Sequence, residues 1–234
     1  MANKHQFENI CGLRWTAANG TRRTGTGFLV GPRHVLTVAH NLFDPELGGD
    51  SMQPVVAQFP GDQSGAEHDV VEFKRDLTTQ WRDRDSHSSN RFLSAFDIGI
   101  LVLNSGPAGA VKPFALELPN PSDMVAMAGY PSRGVSWPMF TEFQAEAGPL
   151  IPNPFPSFGG RIFYELFKDI NIVLGMSGGP VWRVDANGQP IRNANGQPVA
   201  IGLHTSFINV QNGIESGMEM TEDLIELVNG WLKL

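Results

Sequence analysis

Cysteine is nearly missing from this chain: Cys11 is the only one in 234 residues. An intramolecular disulfide is therefore excluded, and without a Cys/His cluster at ligand spacing the sequence offers no zinc site. We read Cys11 as a small buried hydrophobe rather than a reactive thiol. No apolar run is long enough to cross a bilayer, and Met1 to Gln6 lack the apolar block of a secretory signal. The expected location is cytoplasmic if the chain is native from its first residue, and secreted if a leader has been removed. Positive charge is also scarce, with 17 basic against 24 acidic residues and a net charge of −7. That balance disfavours a nucleic-acid backbone as the main partner. The short mixed runs Arg22-Arg23 and Arg82-Asp83-Arg84-Asp85 read as solvated loops. Nothing in the composition asks for a cofactor, a metal or a membrane, and oligomeric state is not encoded legibly.

The length suits one large β domain or two small barrels sharing a core. Its 26 glycines and 17 prolines punctuate short segments rich in Val, Ile, Phe and Thr, a pattern of many strands and turns. Residues 27–30, a turn at 31–33 and residues 34–38 predict a hairpin that delivers His40 just beyond its end. Further strands are expected at 54–59, 69–73 and 98–103, with the polar interval 78–95, which holds Trp81, as a surface excursion. Three prolines between Lys112 and Ser122 mark a passage between two halves, after which 124–130 begins a new set of strands. A proline-rich loop is expected over 148–159, with Phe155 and Phe158 as anchors or as a rim for substrate. Asp185-Ala186-Asn187-Gly188-Gln189-Pro190 recurs almost unchanged as Asn193-Ala194-Asn195-Gly196-Gln197-Pro198, a duplicated turn whose acidic ligands are too few for a helical calcium loop. Residues 221–232 predict a helix capped by Thr221, with Leu224, Leu227, Val228, Trp231 and Leu232 on one apolar face.

Three fragments carry chemistry. Thr37-Val38-Ala39-His40, Asp97 at the head of an apolar run, and Gly175-Met176-Ser177-Gly178-Gly179-Pro180 supply a base, a carboxylate and a nucleophile in the order His, Asp, Ser. Amide hydrolysis needs a nucleophile stronger than a neutral hydroxyl, a nearby base and donors aimed at the developing oxyanion. Ser177 is the expected nucleophile, His40 the base and later acid, and Asp97 the group that holds the imidazole in its productive tautomer. Asp69, Asp83 and Asp85 compete for the carboxylate role, but only Asp97 is pinned by a strongly apolar strand. The glycines let the chain turn tightly, so that the backbone N–H groups of Gly175 and Ser177 face one cavity, the expected oxyanion hole. The bland alternatives are a structural His40, a turn-capping Asp97 and a connector serine, which the combination and order of the three disfavour.

With these residues in place, the chain resembles the trypsin-fold serine peptidases, and within them the glutamyl endopeptidase group typified by the staphylococcal V8 protease. The matching stretches are 25–30, 36–40, 97–101, 129–131, 175–182 and 202–205. The resemblance implies an all-β fold of two perpendicular six-stranded antiparallel barrels with a C-terminal helix. Residues 1–115 would contribute His and Asp, and 116–234 would contribute Ser and the oxyanion hole. It implies a serine endopeptidase acting on peptides or proteins through an acyl-enzyme, with an inactive peptide-binding or partner-binding homologue and an esterase as the alternatives. In the glutamyl group a histidine beside the primary pocket helps bind the substrate carboxylate. His204 stands at that place, as a protonated or hydrogen-bonding imidazole assisted by Thr205 or Ser206, which implies Glu or Asp before the scissile bond. Ile172, where that group has a hydroxyl residue, and Phe207, where a small residue leaves the pocket open, give the pocket a different wall. Met176 replaces the aspartate that precedes the nucleophile in trypsin-like enzymes, so an amine–carboxylate activation switch is not expected.

Overall fold

The computed structural model describes residues 8–16, 20–42, 53–59, 66–77, 97–109, 111–131, 144–154, 160–165, 175–209 and 214–233, with side chains undescribed at 53–54, 76–77, 144–146, 206–209 and 214. Thirteen strands and one α-helix are formed by these residues. The first barrel consists of β1 (Ile10–Thr16), β2 (Arg22–Gly31), β3 (His34–Thr37), β4 (Gln53–Gln58), β5 (Glu67–Leu77) and β6 (Asp97–Leu103), closed in the order β1-β2-β3-β6-β5-β4. The remaining strands are β7 (Ala115–Leu116), β8 (Met124–Gly129), β9 (Gln144–Ile151), β10 (Arg161–Glu165), β11 (Pro180–Val184), β12 (Val199–Asn209) and β13 (Ile214–Glu219). They run in the order β11-β8-β9-β10-β13-β12-β7, and pairing of β11 with β12 closes six of them into a second barrel. All pairings within the two rings are antiparallel; β7 alone adds in parallel, beside β12.

Strand periodicity explains how the two barrels share a core. Along β6, Leu101 and Leu103 pack inside the first barrel with Cys11, Leu13, Leu29 and Phe59. The alternate residues Ile98 and Ile100 face the other way, into a cluster with Ala126, Ala128, Trp182, Leu203 and Met218 of the second barrel. Along β8 the same alternation sends Val125 and Met127 to the interior of the second barrel, with Ile162, Tyr164 and Ile201, and Ala126 and Ala128 to the shared cluster. Cys11 is fully buried, and burial pushes its thiol up, as expected of a packing residue.

The terminal helix, α1 (Glu222–Trp231), starts where expected: the Thr221 side chain accepts from the Leu224 N–H at 3.3 Å, and Glu222 and Asp223 lie in its first turn. Leu224 and Val228 are buried in the shared cluster, and Leu227, Trp231 and Leu232 pack against it. The duplicated sequence forms two equivalent turns. Asp185 Oδ1 accepts from the N–H groups of Asn187 and Gln189 at 2.8 and 2.9 Å, and Asn193 Oδ1 accepts from Asn195 and Gln197 at 3.0 Å each.

Several expected boundaries are corrected. Residues 148–151 belong to β9 rather than to a loop, because Pro149 lies opposite Met124 at the end of β8 while β10 pairs with β9 only at Leu150 and Ile151. The passage between the two halves, 112–122, contains β7. The fourth and fifth strands extend over 53–58 and 67–77. Residues 78–95, with Trp81, Asp83 and Asp85, and also Phe155 and Phe158, fall outside the described residues.

Candidate active site

His40 is presented by a single 3-10 turn, Ala39–Asn41, immediately after β3, and Asp97 is the first residue of β6. Pairing of β3 with β6, with Thr37 opposite Gly99, brings these ends together. Asp97 is buried and holds the turn with both oxygens: Oδ1 accepts the His40 backbone N–H at 2.8 Å and Oδ2 lies 2.6 Å from His40 Nδ1. A carboxylate held this way fixes the ring's orientation and keeps Nδ1 as the protonated nitrogen when the imidazole is neutral. Asp69 is placed elsewhere, in β5 opposite Val56.

The loop carrying Ser177 is held from the first barrel through its carbonyls. Ser177 C=O accepts from Thr26 N–H at 3.0 Å and from Asn41 Nδ2 at 2.9 Å, and Gly175 C=O accepts from Thr26 Oγ1 at 2.8 Å. Asn41 neighbours His40 on the same turn and also donates to Thr37 Oγ1 at 3.1 Å, so one side chain fixes the loop to the turn. On the far side, Gly178 N–H donates to His204 C=O and His204 N–H to Gly179 C=O, each at 2.8 Å. Gly175 and Gly178 take φ of 100° and 90°, which only glycine adopts without strain. Among the described residues the N–H groups of Gly175 and Ser177 donate to no backbone carbonyl. The Ser177 hydroxyl, half-buried, donates to Thr205 C=O at 3.3 Å.

Sequence reasoning passed over Thr26 and Asn41 as positioning residues. A signal was present: a Cβ at Gly25 would meet Asn41 Nδ2 at 2.5 Å and one at Gly27 would meet Val35 Cγ1 at 2.5 Å, so Gly-Thr-Gly marks a close approach.

Behind the loop, His204 is 1 % exposed and its Nδ1 lies 2.7 Å from the Tyr164 hydroxyl. Burial, and then the charges of Arg161 and His40, push the imidazole down to about 3, so it is neutral at physiological pH. The expectation of a protonated His204 is thereby corrected; a hydrogen-bonding role is left to it. Arg161, from β10, is buried and donates from Nη2 to Thr205 Oγ1 at 2.6 Å and to Ser216 Oγ at 2.5 Å. Burial lowers it to about 10, against the attraction of Asp97, and it stays cationic. The Thr205 hydroxyl is thus engaged by Arg161. Ser206 and Phe207 lie in β12 opposite Ser216 and Glu215, with side chains outside the described residues, as is Ile172 altogether. Glu215 is buried, and burial pushes its carboxyl up to about 8.

These two shifts set a pH profile for stability. Glu215, raised from 4.5 to about 8, retains its proton longer in the folded protein, so stability is greatest below 4.5 and is lost as pH rises towards 8. His204, lowered from 6.5 to about 3, must bind a proton on unfolding, so stability is full above 6.5 and is lost as pH falls towards 3. The slopes oppose each other between 4.5 and 6.5, each at most about 1.4 kcal/mol per pH unit. Urea midpoints should form a plateau there and decline on both sides, and Glu215→Gln should reduce the alkaline decline, to which Glu219, also raised by burial, contributes with the same sign.

Residues 25–191 match the family described as trypsin-like peptidase domain, and the chain belongs to that family. No curated protein sequence matches it. Among solved structures, a Glu endopeptidase in complex with MPD is similar at 15 % identity, covering 100 % of this chain and 95 % of that one with a TM-score of 0.67. A thermostable serine protease from an extremophilic microorganism is similar at 16 % identity, 98 % and 99 % coverage and a TM-score of 0.70. An inactivated protease paralogue of the scabies mite gives 16 %, 99 %, 97 % and 0.66 in the same terms. At these identities the likeness is one of fold, and both active and inactivated proteins share it.

Proposed function

We propose that the protein is a serine endopeptidase that cleaves peptide or protein substrates through an acyl-enzyme on Ser177. The observation that carries this reading is the His40–Asp97 pair at 2.6 Å on a turn tied by Asn41 to the Ser177 carbonyl. His40 Nε2 takes the Ser177 proton as Oγ attacks the scissile carbonyl carbon, and Asp97 stabilises the imidazolium that forms. The carbonyl oxygen becomes an oxyanion received by the N–H groups of Gly175 and Ser177, where losing one donor typically costs about 2.7–4 kcal/mol of transition-state stabilisation. Collapse expels the amine, which receives the proton from His40, and water repeats the sequence to release the acid. Residues 1–115 then supply base and carboxylate, and 116–234 supply nucleophile and oxyanion hole. A preference for Glu or Asp before the scissile bond, as in the glutamyl group, would have to be met by His204 as a neutral donor.

A second reading, a protease-like domain that binds peptides without cleaving them, is favoured by one observation, the Ser177 hydroxyl directed to the Thr205 carbonyl. Fluorophosphonate labelling separates the two. The endopeptidase should be labelled on Ser177, at a rate that falls as His40 is protonated at acidic pH, and His40→Ala should abolish labelling. A folded wild-type protein that leaves Ser177 unreacted while binding peptides would establish the second reading.

A further inference from the structure

Where the second barrel meets the first, Leu203 of β12 and Met218 of β13 stand opposite each other in the cluster that also holds Ile98 of β6. A cation enters this apolar face: Arg161, the first residue of β10, is the cross-strand partner of Met218 and is 4 % exposed. Facing residues of paired strands share a side of the sheet, as do residues two apart along one strand. Arg161 therefore reaches Ser216 of β13 at 2.5 Å and Thr205 of β12 at 2.6 Å. Met218 also joins this face to the head of β6, because its sulfur accepts the Asp97 N–H at 3.4 Å. It is thus the common neighbour of Arg161 and of the residue whose carboxylate holds His40.

Burying a guanidinium is costly unless a negative charge acts on it. The hydroxyls of Thr205 and Ser216 are neutral acceptors and cannot cancel its charge. Tyr164 is kept protonated by burial, and burial pushes Glu215 up to about 8, so both are uncharged on the acidic side of neutrality. The strongest attraction on Arg161 is that of Asp97. Asp97 has a second partner that becomes a cation, His40, and two cations near one carboxylate repel each other, so each is favoured less than it would be alone. Arg161 is tied to the nucleophile as well, since Thr205, whose side chain it holds, offers its carbonyl to the Ser177 hydroxyl at 3.3 Å.

We propose that Arg161 is a positioning residue for the catalytic base: its buried charge keeps Asp97 ionised as the acceptor for His40 and disfavours a proton on the resting pair, so that the imidazole stays neutral and able to take the Ser177 proton. The assignment deepens the endopeptidase reading and rests on it for its consequence in labelling, but the proton affinity of the pair can be measured without catalysis.

The other titratable groups around the pair are present in every variant of the test. They are Tyr164 from β10, Glu215 from β13, His204 from β12, which burial, Arg161 and His40 push down to about 3, and Arg75 from β5, opposite Gly99 near the head of β6. Arg161→Gln removes the charge and keeps N–H donors for Thr205 and Ser216, Arg161→Lys keeps the charge, and Arg161→Met removes both charge and donors. NMR titration of the His40 ring nitrogens, assigned by their loss in His40→Ala, reads the first protonation of the His40–Asp97 pair, and the acidic limb of fluorophosphonate labelling reads it in the reaction. In Arg161→Gln, or in Arg161→Met if the glutamine variant does not fold, the midpoint should rise by about one pH unit and the labelling limb should move with it. Arg161→Lys should stay close to the wild type. A brace that only ties β10 to β12 and β13 would lower urea midpoints and leave the titration where it was. That result, or an equal rise in Arg161→Lys, would overturn the assignment while leaving the endopeptidase reading intact. A rise in Arg161→Gln that is absent from Arg161→Lys, in a protein whose Ser177 never labels, would retain the role of Arg161 and sink the endopeptidase.

Discussion

Ser177→Ala should lower kcat by about 10⁴- to 10⁶-fold while leaving the protein nearly as stable as the wild type. The stability is spared because the hydroxyl is half-buried and its one bond, to the Thr205 carbonyl, is long at 3.3 Å, whereas the loop is held through backbone atoms that alanine retains. His40→Ala should be as damaging, and the double variant no worse than either single one, since base and nucleophile act as a unit. Asp97→Asn is the more informative change. The asparagine oxygen still accepts the His40 backbone N–H, but its NH₂ then faces Nδ1, which must become the acceptor. The ring proton moves to Nε2, and the imidazole can no longer receive a proton from Ser177; a loss of about 10⁴-fold is expected. Steady-state kinetics on a cleaved peptide and urea midpoints on the same preparations check both halves. A wild-type protein that binds the peptide without turning it over, with the same binding in every variant, would overturn the acyl-enzyme proposal.

The residues proposed to carry the chemistry could be singled out in the sequence because each sits in a stretch whose local pattern fixes its place. Asp97 heads an apolar run buried on both faces, His40 follows a hairpin strand, and Ser177 lies among glycines that the fold requires to be glycine. The terminal helix was readable for the same reason, from a cap and a stripe. What could not be read depends on cross-strand register. Arg161 and Glu215 are charges near the starts of short strands that each carry a second charge, and alternation alone cannot say which of them faces solvent and which a buried neighbour. Arg161 meets Thr205 and Ser216, 44 and 55 residues away, only because β10, β13 and β12 lie side by side. His204 falls in β12, but its charge state follows from its burial and from the charges of Arg161 and His40, and not from anything adjacent in the chain. Pro149 misled in the opposite direction, since a proline reads as a break unless one knows that β10 pairs with β9 only beyond it.

Gly178→Ala should be among the most destructive single-methyl substitutions at the described residues, and Gly188→Ala is its control. Both glycines have positive φ, 90° and 74°, so each alanine incurs backbone strain of about 1 kcal/mol or somewhat more. They differ in what the new Cβ meets. At Gly188 there is nothing within 4 Å, whereas at Gly178 it would lie 2.2 Å from the Thr26 carbonyl oxygen and 2.2 Å from Thr37 Oγ1. Neither obstacle is the loose end of a flexible chain: Thr37 Oγ1 donates to that carbonyl at 2.7 Å, and Thr26 also holds the carbonyls of Gly175 and Ser177. Relief therefore requires the two barrels to part where the turn bearing His40 meets the loop bearing Ser177. A loss of about 3 kcal/mol or more is expected for Gly178→Ala against about 1 kcal/mol for Gly188→Ala, read from urea midpoints. The labelling rate of Ser177 in the fraction that remains folded should fall at least about 100-fold, because a displacement near 1 Å between base and nucleophile is enough for that. If Gly178→Ala instead labels at the wild-type rate, the close contact between Thr26, Asn41 and the nucleophile loop does not position the hydroxyl, and the site geometry described above is not the one that acts.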